Sequence, residues 1–210
     1  MFEFFKVTVS PLRQNCYVLF CPQSREAALI DAGDEPERIL LELQKRDLNP
    51  KMLINTHCHA DHVSAVAVLQ EQLSLPFYAH QREEMILAGL LASQSYYGFG
   101  DGRMPKVTKY LSEGDQVALG SGYIEVIETP GHTPGGVCLK ADMDLFTGDT
   151  LFAGSIGRSD LPGGDSYKLM ESLKTKLMPL DPNLRVHSGH GLSTTIGTEK
   201  ATNPFLLRLA

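Results

Sequence analysis

Thr56-His57-Cys58-His59-Ala60-Asp61-His62 places four metal-competent side chains within six residues, and the apolar run Met52-Leu53-Ile54-Asn55 leads straight into it. Side chains two apart in an extended segment point the same way, so His57 and His59 can grip one ion. Asp61 and His62 open a segment, Asp61–Leu73, in which Val66, Leu69 and Leu73 recur on one helical face. Helical rotation of about 100° per residue turns these two ligands toward neighbouring space. The stretch therefore predicts a strand, a ligand-bearing turn and a helix, with two adjacent ions served from one motif.

Upstream, Phe2–Ser10, Asn15–Phe20 and Glu26–Asp31 are β-branched and aromatic runs separated by the turn signals Pro11 and Pro22. They predict an antiparallel meander. Asp34-Glu35-Pro36 offers a helix start with proline in the first turn, and Ile39, Leu40 and Leu43 keep helical period up to Arg46. A strand over Lys51–Asn55 then meets the motif.

Downstream, Phe77-Tyr78-Ala79 reads as a buried strand and Glu83–Ser93 as a helix. The glycine-rich segment Ser95–Pro105, with Tyr96, Tyr97 and Phe99, reads as a long loop, either a lid that contacts substrate or an aromatic loop packed on its own domain. Strands fill Val107–Thr129, a hairpin joins Val137–Lys140 to Asp144–Thr147, and a helix spans Ser166–Met178. A strand over Leu184–His187 and a terminal helix over Glu199–Arg208 complete the chain. The order of meander, β/α, meander, β/α implies two mixed sheets packed face to face with helices outside.

With 210 residues, 42% of them hydrophobic and 21% charged, the chain has the size and composition of one globular domain over residues 1–210. A net charge of −6 without a basic run argues against nucleic-acid binding. Cys16, Cys21, Cys58 and Cys138 lack paired spacing, so reduced thiols are expected. No apolar run approaches the roughly 20 residues that span a bilayer, and no signal core follows Met1. A cytoplasmic protein without membrane association is the expectation.

Three further segments each carry one possible ligand beside glycine: His132 in Thr129-Pro130-Gly131-His132-Thr133, Asp149 in Thr147-Gly148-Asp149-Thr150, and His190 in Ser188-Gly189-His190-Gly191. Singly, each is an ordinary turn residue. With the opening motif they resemble the signature of the metallo-β-lactamase superfamily, and all four of these parts stand in order. The early segments Asn15-Cys16-Tyr17 and Ile30-Asp31-Ala32-Gly33 extend the likeness over nearly the whole chain. The resemblance implies an α/β (α+β) fold, a four-layer αβ/βα sandwich of two mixed sheets flanked by helices, with metals at one edge.

It also implies roles. His57, His59 and His132 would hold one metal, Asp61, His62 and His190 a second, with Asp149 between them, and Asp61 and Asp149 are the expected catalytic carboxylates. Two divalent ions are implied, zinc first, with iron or manganese also suited to imidazole and carboxylate donors. Such a pair activates water near neutral pH, so hydrolysis is the expected chemistry and Cys58 is not a nucleophile.

Gly148–Asp165 is similar to the corresponding segment of glyoxalase II-type thioesterases and persulfide dioxygenases, and Gly191–Lys200 to small bacterial glyoxalase II-like proteins. The resemblance implies hydrolysis of S-lactoylglutathione or a related small glutathione-derived thioester to acid and thiol. Larger glyoxalase II enzymes add a C-terminal helical domain that helps hold glutathione, whereas this chain ends soon after the last ligand. Arg158, a planar permanent cation, is an expected anchor for a substrate carboxylate, with pairing to Asp160 or Asp165 as its other use, and Tyr96 and Tyr97 are further candidate contacts. Two alternatives stay open: a mononuclear iron dioxygenase of glutathione persulfide using His57, His132 and Asp149, and a non-catalytic metal-binding protein. Oligomeric state is not legible.

Overall fold

Two six-stranded mixed sheets face each other in the computed structural model, which describes residues 1–208. The first holds β1 (Glu3–Val9), β2 (Gln14–Phe20), β3 (Glu26–Ile30), β4 (Asn49–Ile54), β5 (Phe77–His80) and β6 (Lys109–Leu111) in chain order. Its first three strands form the expected antiparallel meander, and β3 to β6 run parallel. The second sheet is built from β7 (Gln116–Leu119), β8 (Gly122–Glu128), β9 (Val137–Ala141) and β10 (Asp144–Gly148). After a small hairpin of β11 (Leu151–Phe152) and β12 (Ser155–Ile156), the chain returns with β13 (Arg185–Ser188) parallel to β10, and β14 (Thr194–Thr195) closes the edge.

Helices cover the outer faces: α1 (Pro36–Lys45), α2 (Ala60–Val63), α3 (Val66–Leu73), α4 (Glu84–Leu87) and α5 (Leu90–Tyr97) come from the first half, α6 (Ser166–Ser172) and α7 (Ile196–Thr202) from the second. Strand alternation divides the apolar residues among layers. Val18, Leu29 and Leu53 turn outward to Ile39, Leu43 and Leu69 of the helices. Their neighbours Leu19, Ile30 and Ile54 turn inward to meet Val126, Leu139 and Phe146 of the other sheet. On the far side Leu145 and Val186 meet Leu169, Leu173 and Ile196. Strands buried on both faces explain why β2 reads as continuous rather than alternating hydrophobicity, and all its residues are buried.

Four expectations need correction. The helix expected over Asp61–Leu73 is two helices broken at Ser64-Ala65, where the Ala65 N–H turns to Ala32 O at 3.2 Å. Ala60, His62 and Val63 are buried in the first helix and Val66 to Leu69 in the second. The Glu83–Ser93 helix is interrupted at Ala88-Gly89 and then continues through Tyr97, so Tyr96 and Tyr97 lie on α5 rather than in a loop. Gly98, at φ 72°, supplies the left-handed stop. Asn203-Pro204 divides the terminal helix into α7 and a 3-10 turn, Leu206–Arg208. The Ser166–Met178 helix widens to a π-helical turn over Leu173–Leu177.

All four cysteines are free and buried. Among the described residues, no helix is long and apolar enough to cross a membrane.

Candidate metal centre

One edge of the sandwich collects the C-terminal ends of several strands: the 57–62 turn follows β4, His132 follows β8, Asp149 follows β10 and His190 follows β13. Strand ends are where a chain must turn while the sheet holds its last residue fixed, so side chains presented there share a rigid base. Here they converge.

His57, His59 and His132 offer donor atoms within 4.8 Å of one another, and so do Asp61, His62 and His190. In the first group His59 Nδ1 lies 3.0 Å from His132 Nε2. In the second, Asp61 Oδ2 lies 3.1 Å from His190 Nε2 and 3.8 Å from His62 Nε2. Asp149 reaches into both, with Oδ1 3.3 Å from His62 Nε2 and Oδ2 3.7 Å from both His132 Nε2 and His190 Nε2. All seven side chains named from the motif are thus brought together.

These atoms fit a metal pair on physical grounds. His57 Nε2, His62 Nε2 and Asp149 Oδ1 are buried without a hydrogen-bond partner among the described residues. Buried polar atoms left so are costly, by about 1–3 kcal/mol each, and rare unless something else engages them. Imidazole and carboxylate donors at this spacing suit zinc, iron or manganese.

The outward nitrogens are held as well. His132 Nδ1 lies 2.7 Å from Arg158 O and His190 Nδ1 3.1 Å from Leu12 O. A carbonyl oxygen only accepts, so both rings carry a proton on Nδ1 and turn Nε2 toward the cluster. His62 Nδ1 meets Asp31 Oδ2 at 3.0 Å, and Asp31 also accepts from Thr56 N at 2.7 Å and Thr56 Oγ1 at 2.6 Å. Asp31, His57 and His62 form a third tight group of donor types, but the carboxylate oxygens of Asp31 are already engaged, which makes it a support for His62. Gly189 permits a close approach: a Cβ there would come 2.3 Å from Asp149 Oδ1 and 2.4 Å from His62 Cε1.

Electrostatics differ between the groups. Burial and the neighbouring imidazoles push His57 well below its ordinary pKa, and burial takes His59 down to about 4 and also lowers His132. For His62 burial acts in the same direction, but Asp149 and Asp61 overcome it and raise the group. His190 is also raised, because its bond to Asp61 and the charge of Asp149 outweigh burial. Asp61 and Asp149 are both lowered: burial opposes their charge, and the nearby His62 and His190 more than compensate.

A cleft of about 420 Å³ opens beside Asp149 and His190, walled by Phe152, Ala153, Leu192 and Arg158. Arg158 therefore stands at the cleft, and it also makes the bidentate pair with Asp160 at 2.8 and 2.7 Å. That pairing holds its guanidinium charged and takes Asp160 down to about 2. Tyr96 and Tyr97 do not line this cleft; Tyr96 is 82% exposed, while Tyr97 stacks on Phe99 at 5.6 Å. Cys58 is fully buried, and burial pushes its thiol well above the ordinary range.

Sequence reasoning assigned no role to Asp31 or to Glu83, whose carboxylate accepts the Cys58 N–H at 2.7 Å and the Gly135 N–H at 2.8 Å. A charged residue ending the apolar run Ala27-Ala28-Leu29-Ile30 is a usable signal for Asp31. Glu83 has none, since it sits among other polar residues in Gln81-Arg82-Glu83-Glu84.

Comparison with known proteins agrees with this geometry. The family model described as metallo-beta-lactamase superfamily matches residues 9–190. Hydroxyacylglutathione hydrolase GloC of Haemophilus influenzae is 37% identical over 208 residues, covering 95% of this chain and 96% of that protein. The crystal structure of TTHA1623 in a di-iron-bound form superposes with a TM-score of 0.87 at 41% identity, covering 96% of this chain and all of that one (100%). ETHE1 from Myxococcus xanthus follows at a TM-score of 0.82 and 26% identity, over 96% of this chain and 83% of that one. With its two facing sheets, histidine and aspartate clusters at one edge, and a match from residue 9 to residue 190, the chain belongs to the metallo-β-lactamase superfamily.

Proposed function

We propose that this chain is a two-metal thioesterase acting on S-lactoylglutathione or a closely similar hydroxyacyl thioester of glutathione. Asp149 carries the reading: donor atoms from both clusters lie 3.3 to 3.7 Å from its two oxygens, so one carboxylate can serve two ions at once. His57, His59 and His132 would hold one ion and Asp61, His62 and His190 the other. A divalent pair there supplies Lewis acidity toward an acyl oxygen and lowers the pKa of bound water toward neutrality.

The protein's own groups do the rest. Asp61 and Asp149 stay ionised, which lets them orient the attacking water and offset the positive charge of the centre. Phe152 and Leu192 give the cleft apolar walls, and Arg158 supplies a cation for a substrate carboxylate. Buried Cys58 is removed as a competing nucleophile. The relative named hydroxyacylglutathione hydrolase supports the choice of thioester.

Metal analysis combined with thioester assay tests this. Purified protein should carry close to two metals per chain and hydrolyse S-lactoylglutathione, and His190→Ala should lose one metal and most activity. A second reading is a mononuclear iron oxygenase of glutathione persulfide, for which His132 Nε2 lies 3.7 Å from Asp149 Oδ2 within the facial set His57, His132 and Asp149. One iron per chain, oxygen uptake on persulfide and indifference to His190→Ala would select it instead.

A further inference from the structure

A buried carboxylate that no step above uses joins the two histidine loops of the first cluster. Glu83 ends the 3-10 turn after β5 and is 1% exposed. Its Oε2 accepts from Cys58 N at 2.7 Å, and Cys58 stands between His57 and His59. Its Oε1 accepts from Gly135 N at 2.8 Å, three residues beyond His132.

The same two segments also pair directly, Val137 N donating to Thr56 O at 2.9 Å. Beyond that bond the amides of Cys58 and Gly135 are taken by the Glu83 side chain rather than by a backbone carbonyl. Two oxygens on one carboxylate thus bridge the two segments. A buried carboxylate is tolerated only when hydrogen bonds compensate its lost hydration, so the bond pair fixes Glu83 as firmly as Glu83 fixes the loops. The fit is close, since a Cβ on Gly135 would come 3.0 Å from Glu83 Cγ.

We infer that Glu83 is a positioning residue for the first metal cluster, setting the distance between the His57/His59 turn and His132 by holding one amide from each on a single carboxylate. The inference rests on the two-metal reading. Glutamine in its place keeps the shape but offers one acceptor oxygen, and its NH2 would face an N–H, so one loop is released.

The test separates the clusters by background. In His190→Ala protein the remaining metal reports the first cluster, and in His132→Ala protein it reports the second. Zinc affinity is measured in each by competition with a chelator. Glu83→Gln should weaken zinc about 10- to 100-fold in the His190→Ala background, the usual scale for removing a support of a metal ligand. It should leave affinity in the His132→Ala background within about twofold. Equal losses in both, or none in either, overturn the inference, because a general loss of stability does not choose between clusters. Hydrogen exchange in the metal-free wild type gives a second arm that needs no variant: the Cys58 and Gly135 amides should be protected together, and free exchange at either counts against the brace. Wild-type protein that takes up no zinc sinks the two-metal reading and this inference with it, whereas wild type with two zinc ions and an unaffected Glu83→Gln sinks only the role of Glu83.

Discussion

Asp31 Oδ2 lies 3.0 Å from His62 Nδ1, on the side of the ring away from Asp61 and Asp149. A carboxylate there fixes the Nδ1–H tautomer and makes Nε2 the better donor, the arrangement that commonly backs metal-binding histidines. Asp31→Asn should keep the bond from Thr56 N, yet reduce affinity at the Asp61/His62/His190 cluster by about 10- to 100-fold while sparing the other. Zinc titration against a chelator reads the two affinities; equal weakening of both would assign Asp31 to the fold alone.

Gly189 answers to sterics. A methyl group at this position would meet Asp149 Oδ1 at 2.3 Å and His62 Cε1 at 2.4 Å, far inside van der Waals contact. Since neither neighbour is the free end of a long side chain, Gly189→Ala must displace the shared carboxylate or the His190 turn. A shift near 1 Å at a reaction centre costs about 100-fold in rate. The expected result is a kcat lowered by about that factor with the fold retained by circular dichroism, and a variant with unchanged kcat would show that the centre tolerates the movement.

The centre was legible because its residues carry their own punctuation. His132, Asp149 and His190 each adjoin glycine at a strand end, and His57 to His62 follow an apolar run short enough to read as a buried strand. The layers were legible for a similar reason, because runs such as Asn15–Phe20 must be covered on both faces. What lay outside sequence reasoning is long-range pairing: Asp31 and His62 are 31 residues apart, and Glu83 reaches Gly135 across 52. Glycine-rich composition misled at Tyr96 and Tyr97, where burial of Leu90 and Gln94 carries the helix on to Gly98. Likewise the apolar stripe of 61–73 fits one helix, and only the long-range bond from Ala65 N to Ala32 O divides it.

Acid should strip the two clusters in order. Metal binds only unprotonated imidazole, so a histidine lowered below its ordinary pKa is ready at mildly acid pH, and a raised one must first lose a proton. His57, His59 and His132 are lowered, His59 to about 4, so each stays neutral further into the acid range than an ordinary imidazole. His62 and His190 are raised and still hold protons where an ordinary imidazole has lost them. Falling pH thus competes with metal at the second cluster first. Dialysis at about pH 6 should leave one metal per chain where about pH 8 leaves two, and calorimetry in buffers of different ionisation enthalpy should find proton release only for the second ion. Loss of both metals together would contradict the asymmetry.

Asp160 should tune which thioesters enter. Arg158 is the cation at the cleft, and Asp160 holds it through two parallel bonds of 2.8 and 2.7 Å. A substrate carboxylate must displace Asp160 or share the guanidinium with it, so the loop carries its own competitor. Both side chains are well exposed, so solvent screens their pairing and the competition is modest. Asp160→Asn should lower KM for S-lactoylglutathione by about two- to fivefold, while a thioester with the same acyl group on an uncharged thiol is unaffected. Arg158→Ala should do the reverse, raising KM for the anionic thioester alone with kcat held, because a contact made equally in ground and transition states acts on KM. Binding of glutathione itself by calorimetry follows the same order without turnover. Equal effects on charged and uncharged thioesters would mean that the pair only stiffens the 157–165 loop and that the substrate's carboxylates are read elsewhere.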